Sequence, residues 1–355
     1  MAGLSRRVFL GCLPALAAAD NTAITGELKR FRDPSTEFDL LRYTDPAHAS
    51  YLIPAELRSV SQKSNYLLFC CDRSGSNQVY RLDVKNGDMR QLTNVAGIHP
   101  SRVVLLPDDR TFCCLHEQRI DLFSIANGKP KHLYESESGW TPTALGMHDD
   151  GRLIVIEQSG SKWAIRSTGT AKKPPETLLE TGTAVDFLRP RPRANAVLYR
   201  KEGKFWLYDY DKRSESEIKT DPITVPCLYW STDGTSLFYL CRPEGGQGVQ
   251  LREHFPDSGE DKLIAPTSQF VSFAANRNGS VFVGVSGSKA SPYVLLLLRV
   301  TRRELALGDH RSTAPEEMVI FFSPDSQRVF FHGDRSGKSC IYGFPTEKLV
   351  EPTDT

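Results

Sequence analysis

The 355-residue sequence carries almost no net charge, since 44 Lys plus Arg offset 43 Asp plus Glu to leave +1. A global field that gathers nucleic acid or an anionic membrane is therefore excluded, and any polyanion site must be a local cluster. Past the opening segment there is no run near the ~20 apolar residues that a bilayer span requires. Val294–Leu298, a five-residue run, has the length of a buried strand. Local metal motifs are also missing. There is no Cys-x-x-Cys, and the eight histidines stand singly at 48, 99, 116, 132, 148, 254, 310 and 332, with no i, i+2 or i, i+4 spacing. Gly-x-Ser-x-Gly, a P-loop, a dinucleotide fingerprint and His-Glu-x-x-His are all absent. No long segment has a 3.6-residue apolar period, so helix content should be small.

What is present starts with an address. Arg6-Arg7, followed by Phe9-Leu10 and an apolar stretch to Ala17-Ala18-Ala19, has the basic n-region, short h-region and small-residue end of a cleavable signal. The paired arginines resemble a bacterial twin-arginine signal, which exports folded proteins. Residues 1–20 are read as that signal and 21–355 as the mature domain, periplasmic or secreted, with no membrane span once the signal is removed. Removal takes Cys12 with it and leaves seven cysteines. Cys70-Cys71 and Cys113-Cys114 sit inside apolar runs, where alternate side chains face opposite sides of a sheet. They read as packing residues, not a disulfide framework.

Internal repetition is the main signal. Leu68-Phe69-Cys70-Cys71-Asp72-Arg73-Ser74-Gly75 leading to Val79-Tyr80 recurs as Val329-Phe330-Phe331-His332-Gly333-Asp334-Arg335-Ser336-Gly337 leading to Ile341-Tyr342. Weaker copies fall between them, with turns at Pro107-Asp108-Asp109, Asp149-Asp150-Gly151, Arg193-Ala194-Asn195, Thr232-Asp233-Gly234 and Arg277-Asn278-Gly279. The copies lie roughly 40 residues apart, in the range of blade repeats. Each supplies about four short strands joined by hairpin-type turns. The fold class that follows is all-β, a single seven-bladed β-propeller of four-stranded antiparallel blades. Residues 27–54 are expected to supply a strand that closes the ring against the last blade.

These repeats resemble those of TolB-type propellers and of oligogalacturonate lyases. The lyases are the nearer likeness, through Arg42-Tyr43-Thr44-Asp45-Pro46-Ala47-His48-Ala49-Ser50-Tyr51, the first blade, and Gly87 to Arg90-Gln91-Leu92-Thr93. The resemblance implies β-elimination of short oligogalacturonides in pectin breakdown, by a polysaccharide lyase using a divalent metal such as Mn²⁺. Such chemistry needs positive charge beside the uronate carboxylate and a base for the α proton. In the lyases two histidines one residue apart precede the last Phe-Ser-Pro-Asp; here Glu317 and Val319 stand there.

In a propeller the first strand of each blade lines the channel, so its leading residues meet at one mouth. By that rule Tyr51, His99, Trp140, Asp186, Gln269 and Glu317 should be neighbours. His48, Tyr51 and His99 are the catalytic candidates. Glu317, whose carboxylate suits hard cations, and His99 are the metal candidates. Trp140, after a polar loop, and Arg189 and Arg191, in a Pro-stiffened basic loop, are the substrate-binding candidates. Trp206 and Trp230 lie in apolar alternation and read as core. Because a propeller hosts many functions, a non-catalytic propeller that binds a carbohydrate or protein partner is the alternative.

Overall fold

A computed structural model describes residues 23–168, 174–220, 223–243 and 248–354; the expected signal at 1–20 lies outside these. Apart from two single-turn 3₁₀ segments, Pro100–Arg102 and Pro315–Glu317, all regular structure is strand. Seven antiparallel sheets stand in chain order around a channel. Blade 1 is Ser50–Leu52, Tyr66–Cys71, Gln78–Asp83 and Met89–Gln91; blade 4 begins with Val185–Pro190, blade 5 with Ile223–Trp230 and blade 6 with Phe270–Ala275. Blade 7 combines Ile320–Phe322, Arg328–Gly333 and Cys340–Pro345 with the early strand Asp39–Arg42, which pairs Leu41 with Gly343. Lys29–Arg32 adds a fifth, exposed strand outside it.

The ring thus closes by joining both ends of the chain in one sheet, as the sequence suggested. This removes the open edges that would otherwise invite aggregation. Leu40 and Tyr43 are buried in the seam, and Arg328 donates from Nη1 to the Tyr43 hydroxyl.

Second strands carry the core. Tyr66–Cys71, Leu237–Cys241 and Val281–Ser286 are buried along their whole length, because blades pack on both of their faces. The seven described cysteines are all free and buried, as expected of packing residues. Burial pushes the Cys70, Cys113 and Cys114 thiols far above the usual thiol range.

Two local features position the channel. In the first strand of blade 4 a bulge falls between Asp186 and Arg189, with Phe187 at φ 57°, and this re-aims Arg189. Gly234, in the blade 5 turn, has φ +72°, and a Cβ there would lie 2.1 Å from the Pro192 carbonyl oxygen. Only glycine lets that turn close on the Arg191-Pro192-Arg193 loop.

Candidate functional site

The channel has two mouths: a leading one where the first strands begin, and a trailing one where they end.

At the leading mouth the ring brings together residues remote in the chain. Tyr51 of blade 1 meets His332 of blade 7 edge-on, with ring centroids 5.7 Å apart. His332 Nδ1 accepts the Leu52 N–H at 3.1 Å, and its other nitrogen bonds the backbone of Glu317. Tyr51 and Glu317 therefore flank one buried imidazole. Burial pulls that ring's pKa down to about 4, so it stays neutral with both nitrogens engaged. His310 is held the same way, its Nε2 3.0 Å from the Ser286 carbonyl and its Nδ1 accepting the Ser312 N–H at 3.0 Å. These are structural histidines.

The other candidates at this end are dispersed. His48 lies at the hairpin of blade 1, Nδ1 3.9 Å from Asp72. The Asp72 carboxylate is shared with the Ala49 N–H at 2.9 Å and Lys338 at 3.6 Å. His99 caps the Pro100–Arg102 turn, its Nδ1 accepting from the Ser101 N–H at 3.3 Å and lying 2.7 Å from the Ser101 hydroxyl. Burial, and then Arg102, lower its pKa. Asp186 is occupied by Arg200 in a bidentate pair, both contacts 2.7 Å. Glu317 sits exposed in the second 3₁₀ turn.

Trp140 belongs to a cluster the sequence did not reveal. Arg166 lies 4.5 Å above its ring and reaches Glu137 at 3.3 Å and Glu157 at 3.2 Å. Glu157 is fully buried and accepts from the Tyr134 hydroxyl at 2.8 Å and the Ser136 hydroxyl at 2.6 Å. One face of Trp140 is thus already covered.

A metal ion finds no ligand set here. Among the described residues no group of three His, Cys, Asp or Glu side chains is placed to hold one. Glu317 and His99, the metal candidates, do not join in such a group, and His332 and His310 have no free ring nitrogen. The residues do not fit the manganese that the resemblance implied.

A wide opening lies at the trailing mouth, the end opposite to the one the strand rule had singled out. A cavity of about 1230 Å³ is lined there by Arg58, Arg189, Arg191, Arg193, Arg277 and Arg299, with Trp230 and Tyr229. Arg189 of blade 4 pairs with Glu56 of blade 1 at 2.6 Å, so the ion pair spans the channel between blades three apart in the ring. Arg191 makes two contacts with Asp257, 2.9 and 2.6 Å, and lies 5.2 Å above Trp230. Trp230 is therefore a cavity wall, only partly buried, and not the core residue expected from its alternation. Arg299 pairs with Glu253 and Arg58 with Asp109. Arg193 and Arg277 are exposed and their guanidinium groups have no partner among the described residues. His148 also lines the cavity; its Nε2 is 2.9 Å from the Tyr210 hydroxyl, and burial lowers its pKa to about 4.

Such an opening, concave, with an aromatic wall and convergent cationic donors, can hold a carboxylated ligand. Arg189 and Arg191, expected from the sequence to bind substrate, both line it. Glu56 was missed, since nothing in a lone glutamate after Ile53-Pro54-Ala55 signals a partner far along the chain.

The protein is thus a seven-bladed β-propeller with a polar cavity at its hub. It is similar over most of its length to oligogalacturonate lyases. The oligogalacturonide lyase of Pectobacterium atrosepticum is 22% identical over 379 residues, covering 88% of this chain and 94% of that protein. The oligogalacturonate lyase of Dickeya dadantii is 20% identical, with the same shares covered. Among solved structures, an oligogalacturonate lyase in complex with manganese superimposes with a TM-score of 0.85 at 18% identity, over 92% of this chain and 98% of that one. No family model matches the chain.

Proposed function

We propose that this protein takes short oligogalacturonides as its ligand and that its present residues recognise them without a metal. The arginine-lined cavity at the trailing mouth carries this reading, with Trp230 as a stacking wall for a sugar ring and Arg193 and Arg277 as partners for uronate carboxylates. The names of its relatives supply the ligand class. The absence of a ligand set among the described residues separates this reading from manganese-assisted elimination.

Elimination is a second reading, supported by the His48 to Tyr51 segment and the near full-length similarity to the lyases. In that case the chain's own groups supply the base, and His48, half-buried beside Asp72, is the candidate. One experiment separates the two. Purified protein is titrated with digalacturonate and trigalacturonate by calorimetry, and absorbance of the unsaturated product is followed with and without Mn²⁺. Saturable binding without product is the expected result; product formation selects the second reading, and no binding at all overturns both.

The place of action we propose is the periplasm or the exterior, reached through the twin-arginine-type opening as a folded protein. Seven buried free thiols support this, because a chain folded before export does so where cysteines stay reduced.

A further inference from the structure

A second cavity, about 740 Å³, opens away from the channel between blades 1 and 2, and is lined by Tyr66, Arg81, Arg90, Arg110 and Ser124 among others. Arg81 and Arg90 are direct cross-strand partners in blade 1. Like charges so placed repel, and proteins normally insert a carboxylate between them. None does so here. Neither guanidinium has an ion-pair partner among the described residues.

The carboxylates that line the same groove are committed elsewhere. Asp83 accepts the N–H groups of Lys85 and Asn86 at 3.0 and 3.2 Å, and Asp88 accepts from the Asn86 amide at 2.7 Å. Asp109 is held by Arg58 and by the Gln62 N–H. Arg81 rests 4.7 Å over the Tyr66 ring, which fixes its direction. The Tyr66 hydroxyl donates to the Asp109 carbonyl at 2.5 Å, so the ring is itself anchored. Arg90 donates from Nη2 to the Ile125 carbonyl, which holds it across the gap to blade 2, while its Nε is buried with no acceptor. Burial and then the Arg81 charge depress the Arg90 pKa, as expected of a cation held without a counterion.

A buried donor left unmade costs about 1–3 kcal/mol, more when it is charged. Two preoriented guanidinium groups lining one groove form half of an oxyanion site. We propose that the groove between blades 1 and 2 binds a small oxyanion, a carboxylate or phosphate group, between Arg81 and Arg90. The bound group accepts from both guanidinium forks and removes their repulsion. This site is separate from the channel and stands whether or not the channel binds oligogalacturonides.

The test uses the purified chain with inorganic phosphate in one arm and monomeric galacturonate in the other, against chloride at matched ionic strength. Melting temperature and calorimetric affinity are read for wild type, Arg90→Gln and Arg81→Gln. In wild type one anion raises the melting temperature saturably beyond chloride, and each variant loses about tenfold or more in affinity, the loss expected for one charge-assisted bond. Substitution relieves the repulsion but also removes the Arg90 bond to the Ile125 carbonyl or the Arg81 contact with Tyr66, so each variant's anion response is read as a shift from its own ligand-free melting temperature. A response to phosphate alone or to galacturonate alone supports the site and names the source. Equal responses in wild type and variants, or none above chloride, overturn it. Trigalacturonate binding by the channel, retained in both variants, is read separately.

Discussion

The two mouths of the channel are built from the same repeat yet hold their polar groups in different ways. At the leading mouth, histidines and carboxylates are consumed by the fold: His332 and His310 spend both ring nitrogens on main chain or serine backbone, and Asp186 is tied up by Arg200. At the trailing mouth, arginines gather round a cavity and two of them, Arg193 and Arg277, are exposed with no guanidinium partner among the described residues. The leading ends of the first strands are tucked under 3₁₀ turns in blades 2 and 7, which seals donors against backbone. The trailing ends run into turns such as Arg191-Pro192-Arg193 and Thr232-Asp233-Gly234, which project side chains over open space. Polar residues of the leading mouth are drawn into backbone and ion-pair contacts, whereas some at the trailing mouth face open space.

Acid should strike both ends together and most strongly. His332 at the leading mouth and His148 at the trailing one both have folded pKa values near 4, against about 6.5 when unfolded. Folded pKa values that are depressed mean that unfolding takes up protons. The stability these histidines contribute is full above pH 6.5 and is lost as pH falls toward 4, by up to about 3 kcal/mol for each. Denaturant midpoints measured from pH 7 to 4 should drop accordingly. Replacing either histidine by asparagine should flatten the slope by about half; an unchanged slope would show that burial is not what neutralises them.

Next in size is the strut across the channel. Glu56→Ala leaves Arg189 as a half-buried charge without its partner and should cost about 3 kcal/mol. Changing both residues to leucine should recover much of the loss in a thermal melt. At the leading mouth, Glu157→Gln keeps the Tyr134 and Ser136 contacts but removes the charge facing Arg166, for an expected loss of about 2 kcal/mol. If Glu157→Gln proved costlier than Glu56→Ala, the leading mouth and not the channel strut would be the main electrostatic clamp.

The smallest effects bear on function. Arg193→Ala removes an exposed guanidinium that has no partner among the described residues and should cost at most about 1 kcal/mol of stability, yet weaken trigalacturonate binding about tenfold. Trp140→Ala should also cost about 1 kcal/mol, through loss of its Arg166 contact, and leave that affinity within about twofold. The reverse pattern in titration calorimetry would move the ligand to the leading mouth.

The comparison also shows which candidate residues were legible. Arg189 and Arg191 stood out because a basic, proline-stiffened loop keeps its character wherever it lies. Tyr51, His99 and Glu317 are grouped by the rule that first strands begin at one mouth, and His48 by its likeness to the lyases' opening segment. Tyr51 and Glu317 do meet there, but around His332, which its place in the second strand of blade 7 buries. Periodicity reports which side of a strand a residue occupies; it does not report which neighbour from another blade has already taken its hydrogen bonds.

By itself the chain's order of residues determined the repeat, the number of blades, the closing strand and the buried thiols. These depend on local alternation and turn chemistry, which are properties of adjacent residues. Only the tertiary structure decided that Glu56 would bridge to Arg189, that an arginine-lined cavity would open at the trailing end, and that Arg81 and Arg90 would share a groove with no counterion among the described residues. Such contacts join blades far apart in the chain, and their energies depend on distance and desolvation, quantities that exist only once the ring has closed.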